Sequence, residues 1–234
     1  YVNYAKALNH SFKLHREKLK KIVNHGCTSH MSSVDSEGNM VALTYTLLNR
    51  FGSKVVLPKT GILMNNSVSY FDPRPGYPTS MSGRKRINSS NMCPTICVKN
   101  DKAFFSIGAS GANHIVPCTM QIAGFLLDYD FTIEEAFNLP RIDVNETNTI
   151  TVDPKIDSTT IKELKKYFKV KIAQNIVFPK LYSCPSGVLR NSDGLNFGIS
   201  DVSSPTASAI VENSFTINSL KTDKDFVRAW LIVF

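Results

Sequence analysis

Apolar residues recur at helical spacing through residues 1–24, and lysine, arginine and histidine fill most positions between them. This pattern predicts a helix that ends where Gly26 breaks the periodicity. Residues 31–34 and 40–47 then read as two strands. The short polar segment between them contains Gly38, a residue that tight hairpin turns favour. The first quarter of the chain is therefore predicted to be a helix followed by a β-hairpin.

A second hairpin is predicted from residues 95–98 and 103–107, with its turn at Asn100-Asp101. The small residues 108–111 lead from that hairpin into a helix over about 115–127, so backbone N–H groups at the helix start would suit a developing anion. The remaining predictions are a surface loop over 72–83, short helices opened by capping boxes at Thr132/Glu135 and Thr160/Glu163, and strands near 169–173, 186–189 and 195–199. Because strands and helices mix without regular alternation, the pattern favours a layered α+β fold.

Composition places the chain among packed soluble domains, since 42% of its 234 residues are apolar and 20% are charged. No apolar run approaches the length of a membrane span, so no transmembrane segment is expected. The chain has neither an initiator methionine nor a basic-then-apolar leader. We therefore expect it to be processed or incomplete at its start.

The formal charge of +8 comes partly from basic clusters at residues 18–21, 84–86 and 162–171. Such clusters can bind phosphate backbones or anionic surfaces. No nucleic-acid-binding motif accompanies them, so we favour a solvated basic face and expect no nucleic-acid partner.

The five cysteines form no metal-binding pattern, and neither a metal nor a cofactor is expected. Cys93 and Cys97 lie an even number of residues apart on a predicted strand, so they would share a face as buried apolar residues or as disulfide candidates. Four N-x-S/T sequons favour a secreted or extracellular location. These sequons begin at Asn9, Asn65, Asn88 and Asn145.

Taken alone, Thr28-Ser29-His30 would indicate only the start of a strand, because threonine is a common β-former. The motifs that follow at fixed spacing change this interpretation. They are Thr28-Ser29-His30-Met31-Ser32-Ser33-Val34-Asp35, Gly38-Asn39, Ala42-Leu43-Thr44-Tyr45-Thr46, Phe51-Gly52-Ser53-Lys54, Gly61-Ile62-Leu63-Met64-Asn65-Asn66, Met92-Cys93-Pro94-Thr95-Ile96, Gly108-Ala109-Ser110-Gly111-Ala112, Pro140-Arg141 and Ser200-Asp201. In this order, over residues 28–201, they resemble the small subunit of the γ-glutamyltranspeptidase family.

The resemblance implies an N-terminal-nucleophile hydrolase with an αββα sandwich, made as a precursor that cleaves itself just before a threonine. It implies that Thr28 is this nucleophile, that its freed amine serves as base, and that Thr46 is the second threonine that bonds the first. Gly111 and Ala112 fall on the oxyanion-hole pair, whose backbone N–H groups tolerate alanine at the second position. Glutathione and related γ-glutamyl compounds would be the substrates.

The resemblance also identifies substrate-binding positions, and several of them differ from the family pattern. Leu48 stands where the family has an asparagine, Ser67 where it has glutamate or glutamine, and Tyr70 where it has the aspartate that holds the substrate's α-ammonium. Ser89 and Ser90 match the carboxylate-binding serines, with one residue inserted after them. Losing the counter-charge of a desolvated ammonium costs roughly 2–5 kcal/mol, so we expect weak glutathione binding.

The resemblance divides the chain into three parts: residues 1–27 as the tail of the large-subunit region, 28–212 as the small-subunit domain, and 213–234 as a C-terminal extension. We expect the apolar close of the extension, residues 230–234, to lie outside the central sheet. The missing large-subunit region of the same precursor would be the partner.

Three functions stay open at this point. The first is a secreted γ-glutamyltranspeptidase paralogue with weak or no activity on glutathione. The second is an active γ-glutamyl hydrolase or transferase with another substrate. The third is a non-catalytic protein that binds γ-glutamyl ligands on the old scaffold.

Overall fold

The computed structural model describes residues 1–16, 27–71, 90–146, 148–177, 181–211 and 229–232. Four helices and eleven strands lie in these ranges. In chain order they are α1 (Val2–Arg16), β1 (Cys27–Val34), β2 (Met40–Leu48), β3 (Thr95–Lys99), β4 (Lys102–Ser110), α2 (Ile115–Asp128), α3 (Ile133–Asn138), β5 (Ile142–Glu146), β6 (Thr149–Val152), α4 (Ser158–Lys165), β7 (Lys169–Ile172), β8 (Cys184–Arg190), β9 (Asn196–Ser200), β10 (Ser208–Val211) and β11 (Ala229–Ile232). The predicted loop over 72–83 lies outside the described residues.

The first sheet has the strand order β10-β11-β1-β2, and β1 and β2 form the predicted hairpin. The Asp35 carboxylate closes its turn by accepting hydrogen bonds from the backbone N–H groups of Glu37 and Asn39. Gly38 follows with a φ of 91°, a conformation that side chains disfavour. The strand begins at Cys27 rather than at the predicted residue 31, so Thr28 lies at the start of an interior strand.

The second sheet, ordered β3-β4-β8-β9, is antiparallel throughout and stacks on the first. Its β3–β4 hairpin turns at Asn100 and Asp101, which both have positive φ as a tight two-residue turn requires. Across the stack, the hydroxyl of Ser106 on β4 donates to that of Ser32 on β1 at 3.0 Å. The α+β class with two stacked, mainly antiparallel sheets is confirmed.

The outer face of the second sheet packs against α2 and α3. Phe105 and Ile107 on β4 meet Ile122 and Leu126 on α2 in one buried apolar cluster. A second cluster joins α1 and α4 to a small sheet ordered β5-β6-β7, in which β6 and β7 run parallel. The first of these cores fixes α2 and α3 on the second sheet, and the second joins α1 and α4 to the small sheet.

The predicted capping box at Thr132 is present, with its reciprocal bonds to Glu135. The helix α4, in contrast, is not opened by Thr160. Asp157 is its N-cap, and the Asp157 carboxylate accepts a hydrogen bond from the Thr160 N–H at 2.8 Å. Asp157 is the N-cap because a carboxylate just before the first turn accepts hydrogen bonds from free N–H groups and interacts favourably with the positive end of the helix dipole.

The expectation that residues 230–234 lie outside the central sheet is wrong for Trp230 to Ile232. The backbone of β11 inserts between β10 and β1, pairing Ala229 with Val34 and Trp230 with Ser33. Insertion gives β1 hydrogen-bonding partners on both edges, which an edge strand lacks.

Candidate functional site

Alternate residues of β1 point toward the second sheet, and Thr28 belongs to that set. His30, Ser32 and Val34 are buried on this face, and Thr28 is half-buried at its open end. Thr28 pairs in register with Thr46 on β2, and a bulge lies between Cys27 and Thr28. Bulges of this kind re-aim side chains at strand ends.

Thr46 is the centre of a hydrogen-bond network around the Cys27–Thr28 peptide bond. The Thr28 hydroxyl donates to Thr46 Oγ1 at 3.1 Å. The Thr46 hydroxyl donates to the Cys27 carbonyl oxygen at 2.8 Å, and the Leu48 N–H donates to Thr46 Oγ1 at 2.8 Å. The Thr46 hydroxyl therefore contacts both the candidate nucleophile, Thr28, and the Cys27 carbonyl that this nucleophile would attack.

Within the described residues, the His30 ring makes its hydrogen bonds to Thr44 and Ser32 and none to Thr28. One ring nitrogen lies 2.7 Å from the Thr44 hydroxyl and the other 2.9 Å from the Ser32 hydroxyl. Burial lowers the pKa of His30 to about 4, so the imidazole is neutral near pH 7. His30 thus spaces the two sheets and is not placed as the base for Thr28.

The turn from β4 into α2 contains the predicted anion-binding pair, Gly111 and Ala112. Gly111 has a φ of 140° and Ala112 a φ of 53°. The turn closes through a hydrogen bond from the His114 N–H to the Gly111 carbonyl at 3.1 Å, after which α2 begins. A turn of this kind can aim successive N–H groups into one concave site beside the positive end of a helix.

Packing between the sheets brings Thr28 and this turn to the same end of the stack. Ser32 on β1 contacts Ser106 on β4. Two residues further along each strand, the His30 ring lies against Gly108, and a Cβ built on Gly108 would be 2.3 Å from His30 Cε1. The next step of two residues on both strands reaches Thr28 and Ser110. The nucleophile candidate Thr28 and the candidate oxyanion turn, Gly111 and Ala112, therefore lie at the same end of the stacked sheets.

Leu48 lies at the end of β2 in a left-handed conformation, with a φ of 67° and 4% exposure. Such a conformation costs a side chain roughly 1–2 kcal/mol, and asparagine adopts it more readily than leucine. The leucine therefore adds backbone strain beside Thr46 and offers no polar group to a substrate.

The other substrate-binding candidates lie on two segments, of which the structure describes part. Ser67 and Tyr70 form a 3₁₀ turn that is tied to the end of β2 through hydrogen bonds between Asn66 and Asn49 and between Asn66 and Leu47. The Tyr70 hydroxyl donates to Asn91 Oδ1 at 3.3 Å, so this turn meets the segment that carries the serines. Ser90 is exposed and accepts a hydrogen bond from the Met92 N–H, whereas Ser89 lies outside the described residues.

Burial raises the pKa of the Tyr70 phenol above its ordinary value, so the group is neutral at physiological pH. Ser67 is equally uncharged. Neither position supplies a carboxylate for an ammonium group.

Two polar contacts behind the turn were not predicted: the buried ion pair of Arg141 with Asp201, and the approach of the partly exposed His114 to the buried Asp143. Arg141 and Asp201, from the two short motifs noted above, meet at 2.5 Å with about 4% exposure each. His114 Nδ1 lies 2.8 Å from Asp143 Oδ2, and although this contact favours the carboxylate, burial raises the pKa of Asp143 above its usual value. Only the fold brings these residues together, since Arg141 and Asp201 are 60 residues apart.

All five cysteines are free thiols, so the disulfide alternative for Cys93 and Cys97 is wrong. Both are half-buried rather than fully buried. Within the described ranges, no helix is both long and apolar enough to cross a membrane.

Comparison with known proteins agrees with this geometry. A family model described as gamma-glutamyltranspeptidase matches residues 2–210. The glutathione hydrolase proenzyme of Escherichia coli (strain K12) is 29% identical over 183 residues, which are 74% of this chain and 31% of that protein. An Arabidopsis thaliana protein, named as a suspected inactive glutathione hydrolase, is 38% identical over 122 residues, or 47% of this chain and 61% of that protein. The chain thus spans about a third of the length of the bacterial relative.

Among solved structures, a variant of Helicobacter pylori gamma-glutamyltranspeptidase superposes with a TM-score of 0.61 and 26% identity. The match covers 75% of this chain and 99% of that chain. The N-terminal-nucleophile hydrolase fold expected from the resemblance is confirmed.

Proposed function

Because the chain belongs to the gamma-glutamyltranspeptidase family, we propose that it is the nucleophile-bearing part of a self-cleaving amide hydrolase whose activity on glutathione is impaired. The observation that supports this most is the Thr46 hydroxyl, which bonds both Thr28 Oγ1 and the Cys27 carbonyl. The relatives' names include both a glutathione hydrolase and a suspected inactive one.

Self-cleavage would begin when Thr28 Oγ1 attacks the Cys27 carbonyl carbon and the Cys27–Thr28 C–N bond breaks. The Thr28 hydroxyl proton passes to Thr46 Oγ1 as the Thr46 proton moves to the developing oxyanion, so no free charge builds up. Collapse of this intermediate transfers a proton to the departing Thr28 nitrogen and leaves an ester. Water then hydrolyses the ester to a Cys27 carboxylate and the Thr28 hydroxyl, which leaves Thr28 with both its amine and its hydroxyl free.

The freed amine would then act as the general base for the Thr28 hydroxyl when a γ-glutamyl amide binds. The oxyanion of the tetrahedral intermediate would be stabilised by the N–H groups of Gly111 and Ala112. Donors fixed in advance at such a site contribute roughly 3–4 kcal/mol each to transition-state stabilisation. The acyl group would pass to water or to an amino acid.

Substrate capture is the weak step in this proposal. A γ-glutamyl α-ammonium must shed water to enter the cleft, and only an anionic partner compensates that loss well. Tyr70 offers a neutral phenol that is already bonded to Asn91, and Ser67 offers a hydroxyl. Glutathione would therefore bind poorly here even if the nucleophile is competent.

We also propose that the large-subunit region of the same precursor covers the free face of the first sheet. On β2, Val41, Leu43 and Tyr45 point away from the second sheet, and each is about half exposed. A row of large apolar side chains beside a strand edge that pairs with no other strand in the described part of the chain suits a further protein layer. The bacterial relative, a proenzyme, has about two-thirds of its length outside the matched region.

Hydrolysis of a chromogenic γ-glutamyl anilide by the precursor, with its large-subunit region, tests this function. We expect slow turnover that Thr28→Ala abolishes, with a weak response to added glutathione as competitor. Turnover of glutathione at the rate of an ordinary family member would contradict the impaired-pocket proposal. Binding of γ-glutamyl compounds without Thr28-dependent turnover would instead favour the non-catalytic binding protein.

A further inference from the structure

Ser183 directly precedes β8 and lies against the oxyanion turn, although no motif marks it. It is fully buried and has a φ of 65°, the left-handed region that non-glycine residues avoid. Strained residues of this kind persist where the surroundings hold them, and they concentrate at functional sites. Ser183 therefore calls for a local physical explanation.

The Ser183 hydroxyl donates a hydrogen bond to the Ser110 carbonyl oxygen at 2.5 Å. That carbonyl and the Gly111 N–H belong to one peptide unit, so fixing the carbonyl also fixes the direction in which the N–H points. A hydrogen bond to the carbonyl also polarises the peptide and strengthens its N–H as a donor. In the described residues, no backbone hydrogen bond occupies the Gly111 N–H itself.

Packing supports the same arrangement. A Cβ built on Gly111 would lie 2.8 Å from Ser183 Oγ and 2.9 Å from Ser183 Cα. The turn thus rests directly on Ser183, and β8 holds Ser183 in place because Cys184 pairs with Ser110.

We propose that Ser183 is a positioning residue for the oxyanion turn, acting through the Ser110–Gly111 peptide and not by contact with substrate. Its catalytic consequence rests on the proposed function. Its hydroxyl is buried and is committed to the Ser110 carbonyl.

Two substitutions separate this role from simple structural support. Ser183→Ala removes the hydroxyl and keeps the left-handed strain, whereas Ser183→Gly removes both. We expect kcat to fall about tenfold in both variants, with KM within about twofold, because a mis-aimed donor weakens only the transition state. Stability should differ, with a lower urea midpoint for the alanine variant than for the glycine variant.

The matched control is Ser186→Ala. Ser186 is also buried on β8, and its hydroxyl has no hydrogen-bond partner in the described part of the chain. This variant should leave kcat unchanged. A kcat that follows stability, falling in Ser183→Ala and unchanged in Ser183→Gly, would overturn the proposal.

Amide NMR of the 234-residue chain gives a readout that does not need turnover. The Gly111 amide resonance should shift in both Ser183 variants, and stay as in the wild type in Ser186→Ala. If the wild type shows no turnover but the Gly111 amide responds, the proposed function fails while the coupling of Ser183 to the turn stands. A Gly111 amide that is unchanged in both variants overturns the inference.

Discussion

Acidification should destabilise this protein through one buried imidazole, that of His30. The ring is fully buried between the two sheets and bonds the Thr44 and Ser32 hydroxyls. Burial lowers its pKa from 6.5 to about 4. Charging it in the native state would require an unscreened cation in the core.

The size and sign of the effect follow from proton linkage. Above pH 6.5 the imidazole is neutral in both the native and the unfolded states, and the full contribution of the neutral ring to the free energy of unfolding is present. Below that pH the unfolded state binds the proton first, so the free energy of unfolding falls until the native ring also titrates near pH 4. The gap between the two pKa values corresponds to about 3 kcal/mol.

Urea unfolding at several pH values between about 7.5 and 4 measures this loss. The asparagine of His30→Asn keeps polar atoms near both hydroxyls but cannot titrate. Over the same pH range, the free energy of unfolding of this variant should therefore fall less than that of the wild type, by about 3 kcal/mol. His10→Asn, an exposed histidine on α1, is the matched control and should keep the wild-type dependence. If His30→Asn and the wild type lose stability in parallel, the assignment of His30 as a buried neutral spacer is refuted.

Two further predictions concern the pocket and the packing below it. The double change Ser67→Glu, Tyr70→Asp should restore an ammonium partner and raise kcat/KM for glutathione by at least about tenfold, or ~1.4 kcal/mol. Steady-state kinetics of the precursor measure this change. An unchanged kcat/KM would contradict the proposal that the missing carboxylates weaken glutathione binding. Gly108→Ala would place a methyl group 2.3 Å from the His30 ring. Denaturant unfolding should therefore show that the free energy of unfolding falls by about 1–3 kcal/mol from overpacking. An unchanged midpoint would show that the two sheets separate freely at this position.

Local signals were sufficient for most of the fold near the site. The two hairpins and α2 were predicted because turn residues such as Gly38 and Asn100 separate clear strand patterns and a long apolar helix follows. The strands β5 and β6 were not predicted, although apolar and polar residues alternate in both, because they are only five and four residues long. The place of β11 in the first sheet could not be predicted, because its pairing with β1 joins residues that are far apart in the sequence and β11 lies outside the family resemblance.

The candidate site likewise contains features that the sequence predicts and features that only the structure shows. The spacing of Thr28, Thr46 and Gly111 could be read from motifs, and the structure brings Thr28 and Thr46 into contact. The left-handed conformation of Leu48 and the contact of Ser183 with Ser110 could not be predicted, because they depend on how the chain turns in space. A single serine before a strand has no distinctive sequence pattern.

The most direct test of the central claim is the mass of the polypeptides present after the precursor folds. The account predicts two fragments divided between Cys27 and Thr28, with Thr28 as the new N-terminus. Thr28→Ala should leave one uncut chain, and Thr28→Ser should retain partial cleavage because its hydroxyl can still attack. Cleavage that persists at the same bond in Thr28→Ala, or a Thr28 that stays uncut in a fully folded precursor, would contradict the assignment of Thr28 as the nucleophile.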